Sequence, residues 1–167
     1  DLIETSDNTA TNRCIAMVKM ERVNRMLDEM GLLNTRLRRI MMDTAAAGRD
    51  EENVSTPNEM ARLVEKIYRK EAAHEEDCNE MLSIMKRVKA SMRKAVPPHV
   101  EVASKPGGVP GVKCETGIIY LPYRPFVLSV MSTFVNPSAT PVEDVTRVVY
   151  AHFERLARSN KFGNQWR

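Results

Sequence analysis

Val100-Glu101-Val102-Ala103-Ser104, Gly117-Ile118-Ile119-Tyr120-Leu121 and Phe126-Val127-Leu128-Ser129-Val130-Met131-Ser132-Thr133-Phe134-Val135 are the stretches on which the fold turns. Each has the composition of a strand. Gly107-Gly108-Val109-Pro110-Gly111 parts the first two and Pro122-Tyr123-Arg124-Pro125 the others, and glycine and proline at this density mark connections. The first run alternates apolar and polar, so one of its faces is wet. The third is apolar almost throughout 126–135, the pattern of a strand covered on both faces and paired on both edges. Everything before Val100 reads as helix or loop, and everything after Val135 as helix or tail. The run at 117–121 is therefore the one neighbour available to 126–135. A central strand with a bare edge leaves a row of backbone N–H and C=O groups without partners. The pattern predicts that a further strand, from another polypeptide, completes the sheet beside 126–135.

With 43% hydrophobic and 28% charged residues the chain has an ordinary globular composition, and its 167 residues can bury a core. A net charge of +3 is too small to imply a nucleic-acid partner. An RNA-contacting role would rest on that charge and the Lys/Arg of 86–94 alone. No apolar run approaches the roughly 20 residues of a membrane span, and no signal peptide is visible. The chain opens on Asp1, which points to a piece upstream. Cys14, Cys78 and Cys114 are widely spaced and read as buried thiols. His74, His99 and His152 lack the spacing of metal ligands, and no cofactor motif is present. His152 reads as a surface residue, and the methionines sit mostly at helix-core spacings.

Helical periodicity predicts a helix over 9–18 with Ile15 and Val18 inward. A second follows over 21–30 with Val23, Met26, Leu27 and Met30 on one face and Gly31 as its stop. Residues 32–55 carry no sustained period and read as a long loop with at most one short helix. Arg36, Arg38 and Arg39 there read as a solvated stretch, with an anion site as the alternative. Thr56-Pro57-Asn58-Glu59 is a helix start with a capping box, followed by Met60, Leu63, Val64, Ile67 and Tyr68 at helical spacing. The next helix begins after His74 with Glu75, Glu76 and Asp77, carries Lys86 to Lys94 late, and stops at Pro97-Pro98, an arrangement that suits the helix dipole. Thr140-Pro141-Val142-Glu143 repeats the capping pattern. Val145, Val148, Val149, Phe153 and Leu156 form the stripe of the last helix, and Trp166-Arg167 ends a polar tail.

Two short motifs are weak singly and informative in order. Ser6-Asp7-Asn8 stands at a helix start, and Lys105-Pro106-Gly107 follows about a hundred residues later at a strand end. With Val23-Asn24, Gly31-Leu32, Thr35-Arg36-Leu37-Arg38-Arg39, Met41-Met42-Asp43, Glu52-Asn53-Val54-Ser55-Thr56-Pro57, Met60-Ala61 and Gly117-Ile118-Ile119-Tyr120-Leu121-Pro122, the chain resembles the class A β-lactamases and penicillin-binding proteins from about residue 2 to 158. The resemblance implies an α/β (α+β) fold, helices flanking an antiparallel sheet, with the N-terminal strands and nucleophile helix missing. It implies one partial domain over 1–167: a mainly helical part over 1–98, a three-strand antiparallel part over 99–136, and a C-terminal helix over 140–160 packing on the sheet. It also implies that Ser6 relays a proton, Asn8 holds a substrate amide and Lys105 supplies a cation. Gly107 and Gly108 would line the oxyanion and substrate strand. Relatives are typically exported in bacteria, and no compartment follows for this chain.

The departures carry as much weight. The family's Ser-x-x-Lys precedes its second motif, and five residues precede Ser6. Ser83-Ile84-Met85-Lys86 and Ser91-Met92-Arg93-Lys94 fit the pattern but follow that motif, and chance accounts for them. Pro106 replaces the family's Thr or Ser, removing a hydroxyl and an N–H from the substrate edge. The Glu-x-x-x-Asn that positions deacylating water is absent between 36 and 55. The expectation is a catalytically inactive β-lactamase-like domain, with Ser6, Asn8 and Lys105 vestigial, kept as a structural or interaction subunit. The alternative is an active serine acyl-hydrolase of β-lactamase, peptidase or esterase type whose nucleophile lies on another segment.

Overall fold

In the computed structural model, which describes residues 2–164, seven helices flank one antiparallel sheet of order β1-β2-β3. In chain order the elements are α1 (Asn8–Val18), α2 (Met20–Glu29), α3 (Thr44–Ala47), α4 (Pro57–Tyr68), α5 (Glu75–Arg87), α6 (Ser91–Lys94), β1 (Val102–Val109), β2 (Val112–Ile119), β3 (Phe126–Ser132) and α7 (Pro141–Ala157). The expected fold class holds. Trp166-Arg167 lies outside the described residues.

The strands differ from expectation in extent. The glycine- and proline-rich run over 107–111 is mostly strand, since β1 runs to Val109 and only Pro110-Gly111 turns the hairpin, with Gly111 at φ +79°. Proline is admissible in β1 because β1 is an edge, where an outward position needs no N–H for the ladder. β2 accordingly begins at Val112, and Tyr120 and Leu121 fall beyond it. β3 ends at Ser132. Phe134 follows at φ +55° with its ring fully exposed, and Val135 N–H donates to the Gly111 carbonyl at 2.9 Å. The ten-residue strand is thus seven residues long. Its pairing is as expected: β3 has β2 on one side and, among the described residues, no strand on the other.

Register sorts the side chains by face. Ala103, Ile118 and Val127 meet Val64, Ile67, Cys78, Leu82 and Met85 of α4 and α5. Val102, Ile119, Phe126 and Val130 meet Met92 and Val96 on one side and Val142 and Tyr150 of α7 on the other. The single helix expected from residue 75 to the Pro-Pro stop is interrupted. Val88 is extended at ψ 128°, and the four-residue α6 restarts at Ser91. Val88, Ala90 and Met92 are all buried across the break, and Arg93 holds the corner by donating to the carbonyls of Lys86 and Val102, both at 2.8 Å. Acids still open α5 and bases still close it.

The stripe of α7 is rotated from the expected one. Val142, Thr146 and Tyr150 are its buried residues, with Val149, Phe153 and Ala157 packed alongside, while Val145 and Val148 face outward, Val148 at 72% exposure. Phe153 stacks on Phe126 with ring centroids 4.3 Å apart, which sets the rotation. Thr140 caps nothing with its side chain and donates instead to Asp144 Oδ2 at 3.1 Å. Replacing Val148 with Glu should leave urea stability within about 0.5 kcal/mol. Phe153→Ala should cost about 3 kcal/mol. A stability loss at Val148 as large as that at Phe153 would contradict the observed orientation.

The leading helices are thinly covered. Ile15 is the one buried residue of α1, Val18 is exposed rather than inward, and α2 buries nothing despite its apolar face. Cys14 is exposed and Cys114 half-buried, so only Cys78 is the buried thiol expected of all three. Among the described residues no helix is long and apolar enough to cross a membrane.

Candidate functional site

Ser6 stands at the entry to α1 in the left-handed region, φ +53°, a conformation that non-glycine residues adopt only when their surroundings hold them there. What holds it is the cap that follows. Asp7 accepts from Ala10 N–H through its carboxylate at 3.0 Å, and its carbonyl accepts from the Thr11 hydroxyl at 2.8 Å. Asn8 is the exposed first residue of α1. From β1, ninety-nine positions later, Lys105 Nζ donates to Ser6 Oγ and, at 2.7 Å, to the Pro106 carbonyl. The two weak motifs therefore meet in space. Lys105 is half-buried, and that burial holds its ammonium below the ordinary lysine value while the Glu115 charge pulls it back up. Partial desolvation is how a lysine becomes able to give up a proton to, or take one from, a neighbouring hydroxyl.

The register around Lys105 is polar. Lys105 stands opposite Thr116, and Thr116 opposite Ser129, whose hydroxyls share a hydrogen bond of 2.8 Å. Gly107 and Gly108 are exposed at the hairpin end of β1. A Cβ at Gly107 would meet nothing within 4 Å, whereas one at Gly108 would lie 2.9 Å from the Val112 carbonyl oxygen. The glycine at 108 is thus required by the hairpin itself. Pro106 presents neither a hydroxyl nor an N–H.

The other candidates are not assembled into a site. Ser83 Oγ accepts from Arg87, and Lys86 is held by Glu101 at 3.0 Å with its ammonium over the Tyr120 ring. Lys94 lies 3.8 Å from Glu143, and Ser91 N–H is bound to Glu115, across the sheet from Lys105. Arg36 is engaged by Asp28 and Arg39 by Glu52, both at 2.6 Å, which leaves no free arginine cluster for an anion. Asn53 spends its side chain on the backbone of Arg38 and Arg39, pinning the 32–55 loop. His152 is exposed, and no group of residues fit to hold a metal occurs among the described residues.

The sequence reading gave one buried carboxylate another role and missed a second. Glu59, 4% exposed, does not close a capping box. It accepts from Asn34 N–H at 2.9 Å, Asn34 Nδ2 at 2.8 Å and Thr35 Oγ1 at 2.6 Å, tying α4 to the loop. Glu115, 1% exposed, accepts from Ser104 Oγ and from the backbone N–H groups of Ser91 and Met92. The available signal for Glu115 was an acid two residues from the apolar run at Gly117-Ile118-Ile119, which becomes inward once β2 is extended back to Val112.

A model of the beta-lactamase enzyme family matches residues 1–153. No curated protein matches. Among solved structures, the chain is similar to a β-lactamase from Sphaerobacter thermophilus DSM 20745, at 26% identity and a TM-score of 0.79, covering 90% of this chain and 60% of that one. It is similar to a variant of PBP-A solved as an acyl-enzyme complex with penicillin G, at 26% identity and 0.80, covering 92% and 59%. The fold is also that of a class A β-lactamase from Mycobacterium abscessus, at 24% identity and 0.80, covering 91% and 62%. The chain spans about 60% of the length of these structures.

Proposed function

Because this chain belongs to the beta-lactamase enzyme family, we propose that its 167 residues form a β-lactamase-fold unit that does not turn over a β-lactam by itself. It acts as a structural or interaction subunit, completed by a further polypeptide segment of the same gene product or another chain. The observation that carries this reading is the outer edge of β3, the most apolar strand of the sheet, which no strand covers among the described residues. The exposed Met17 and Val18 on α1 and Val145 and Val148 on α7 support it, as does the unburied apolar face of α2. Surfaces of this kind mark packing sites more often than plain solvent faces.

Inactivity is supported by chemistry at the site. Pro106 withdraws two of the groups with which the substrate strand would meet a carboxylate. Asn53 is committed to the loop backbone and Glu59 to Asn34 and Thr35, leaving neither to hold a hydrolytic water. Labelling the isolated chain with a fluorescent penicillin and reading intact mass should give no adduct. A stoichiometric, boiling-resistant adduct would overturn the proposal.

A second reading is favoured by one contact, the Lys105 ammonium on the Ser6 hydroxyl. With a segment carrying the nucleophile in place, these two groups and Asn8 would serve as the proton-relay and amide-holding side of a serine acyl-hydrolase. Under that reading, penicillin labels the completing segment when it co-purifies with this chain. The label is lost on Lys105→Met while the complex, followed by native mass, persists.

A further inference from the structure

Among the described residues, the Lys105–Ser6 hydrogen bond is the one contact between a lysine side chain and a serine hydroxyl. As a relay it would serve a nucleophile on another segment, yet its setting suits Ser6 to be a nucleophile itself. The Ser6 side chain is exposed, and the left-handed backbone at φ +53° pins it just before α1. Backbone strain of this kind persists where the surroundings enforce it, functional sites above all. The N-terminus of α1 follows at Asn8, and its dipole favours negative charge on a neighbouring oxygen. Lys105 is oriented as well. It donates to the Pro106 carbonyl at 2.7 Å, so a neutral amine that keeps this bond has a lone pair to turn toward the Ser6 hydroxyl. Lys86 and Lys94 are paired with carboxylates, whereas Lys105 has none in contact among the described residues. Burial, opposed by the charge of Glu115, holds its ammonium below the ordinary lysine value.

We propose that Ser6 is a nucleophile with Lys105 as its base, a Ser–Lys pair that accepts an acyl group from a small uncharged ester. The substrate class follows from β1. Pro106 offers neither hydroxyl nor N–H to a substrate carboxylate, and the space beside Gly107 is open, so a short ester without a carboxylate fits where a penicillin does not. In the step, the neutral Lys105 amine takes the Ser6 proton as Oγ bonds to the ester carbonyl carbon. The bond from that carbon to the alcohol oxygen then breaks, and the alcohol leaves with the proton from Lys105. Lys105 is neutral again and Ser6 carries the acyl ester. One acyl group accepted in this way is not turnover of a β-lactam, and it needs no completing segment.

The test mixes the whole chain with 4-nitrophenyl acetate, follows the burst of nitrophenolate, and maps the acetyl group by tryptic digestion and mass. The expected product is an acetyl on Ser6, in the peptide 1–13, that neutral hydroxylamine removes as it removes esters and not amides. Ser6→Ala should lose the burst. Lys105→Arg keeps the positive charge but cannot act as the base, and should slow formation of the Ser6 ester by at least about tenfold with the circular dichroism spectrum unchanged. Acetyl found only as hydroxylamine-resistant amide on lysines, Lys105 included, overturns the proposal. So does a Ser6 ester that forms at the wild-type rate in Lys105→Arg. The wild-type peptide map decides without any variant having to fold. Penicillin labelling reads the substrate edge and acetylation reads Ser6, so either reading can fail while the other stands.

Discussion

Gly117→Ala should lower the unfolding free energy by about 2–3 kcal/mol, and Gly117→Val should prevent the folded chain from accumulating. A Cβ built at Gly117 would lie 2.5 Å from Ser104 Cβ, 2.6 Å from the Ala103 carbonyl oxygen and 2.8 Å from Ser104 Cα. Two of these are backbone atoms of the paired strand, and Ser104 is itself fixed by Glu115. Relief would have to come from parting β1 and β2, which carry the Lys105 side of the site between them. Gly107→Ala is the control. Its Cβ meets nothing and its φ is ordinary, so it should be neutral or slightly stabilising. Urea unfolding monitored by circular dichroism separates the cases. Equal stability of the two alanine variants would mean that the strands approach less closely at Gly117.

The same pair of glycines shows what was legible in the sequence and what was not. The strand at Gly117-Ile118-Ile119 and the greasy run from Phe126 could be read because apolar β-formers in a row have few other homes. The hairpin could not, because Gly107-Gly108 looks the same whether it is a connection or an edge strand. Only the partner strand Val112–Ile119 decides, and Lys113-Cys114-Glu115-Thr116 has no strand signature of its own. Local caps were legible where one residue satisfies one backbone group, as with Thr56 Oγ accepting from Glu59 N–H at 3.2 Å. The orientation of α7 was not. Val145-x-x-Val148-Val149 and Val142-x-x-x-Thr146-x-x-x-Tyr150 are both acceptable helical stripes, and the sheet selects the one that brings Phe153 onto Phe126. That Ser6 and Lys105 belong to one site was implied by the family resemblance alone, and their contact is visible only in the fold. The seat of Glu115 against Ser104 required the register, which no spacing in the sequence records.

The second large effect is expected at Glu59, where the local reading and the fold disagree. As one half of a capping box it would be worth little more than a helix end. As the acceptor for Asn34 and Thr35 it closes the mouth of the 32–55 loop, and Asn12, Asn24 and Asn53 clamp the loop's interior through Met41, Leu37 and Arg39. Glu59→Ala leaves buried donors without an acceptor, the costly kind of deletion. Hydrogen exchange at the Arg36, Leu37 and Met41 amides should then speed up on the order of tenfold or more, with trypsin cutting at Arg36, Arg38, Arg39 or Arg49 in step. Glu59→Gln keeps one acceptor and should fall between. The sign with pH follows from the same contacts. Burial, the largest influence on the Glu59 carboxyl, pushes it upward, and the Thr35 and Asn34 hydrogen bonds together more than offset this, so it sits below its ordinary 4.5. A depressed carboxylate stabilises the fold above pH 4.5, and that contribution disappears as pH falls through the folded value. Glu115, raised by burial, acts in the opposite sense: it favours the fold below pH 4.5 and loses that contribution as pH rises. Loosening of the loop on acidification should therefore vanish in Glu59→Gln and persist in Glu115→Gln. Loop amides that exchange at the wild-type rate in Glu59→Ala would show that the asparagine clamps hold the loop without help from α4.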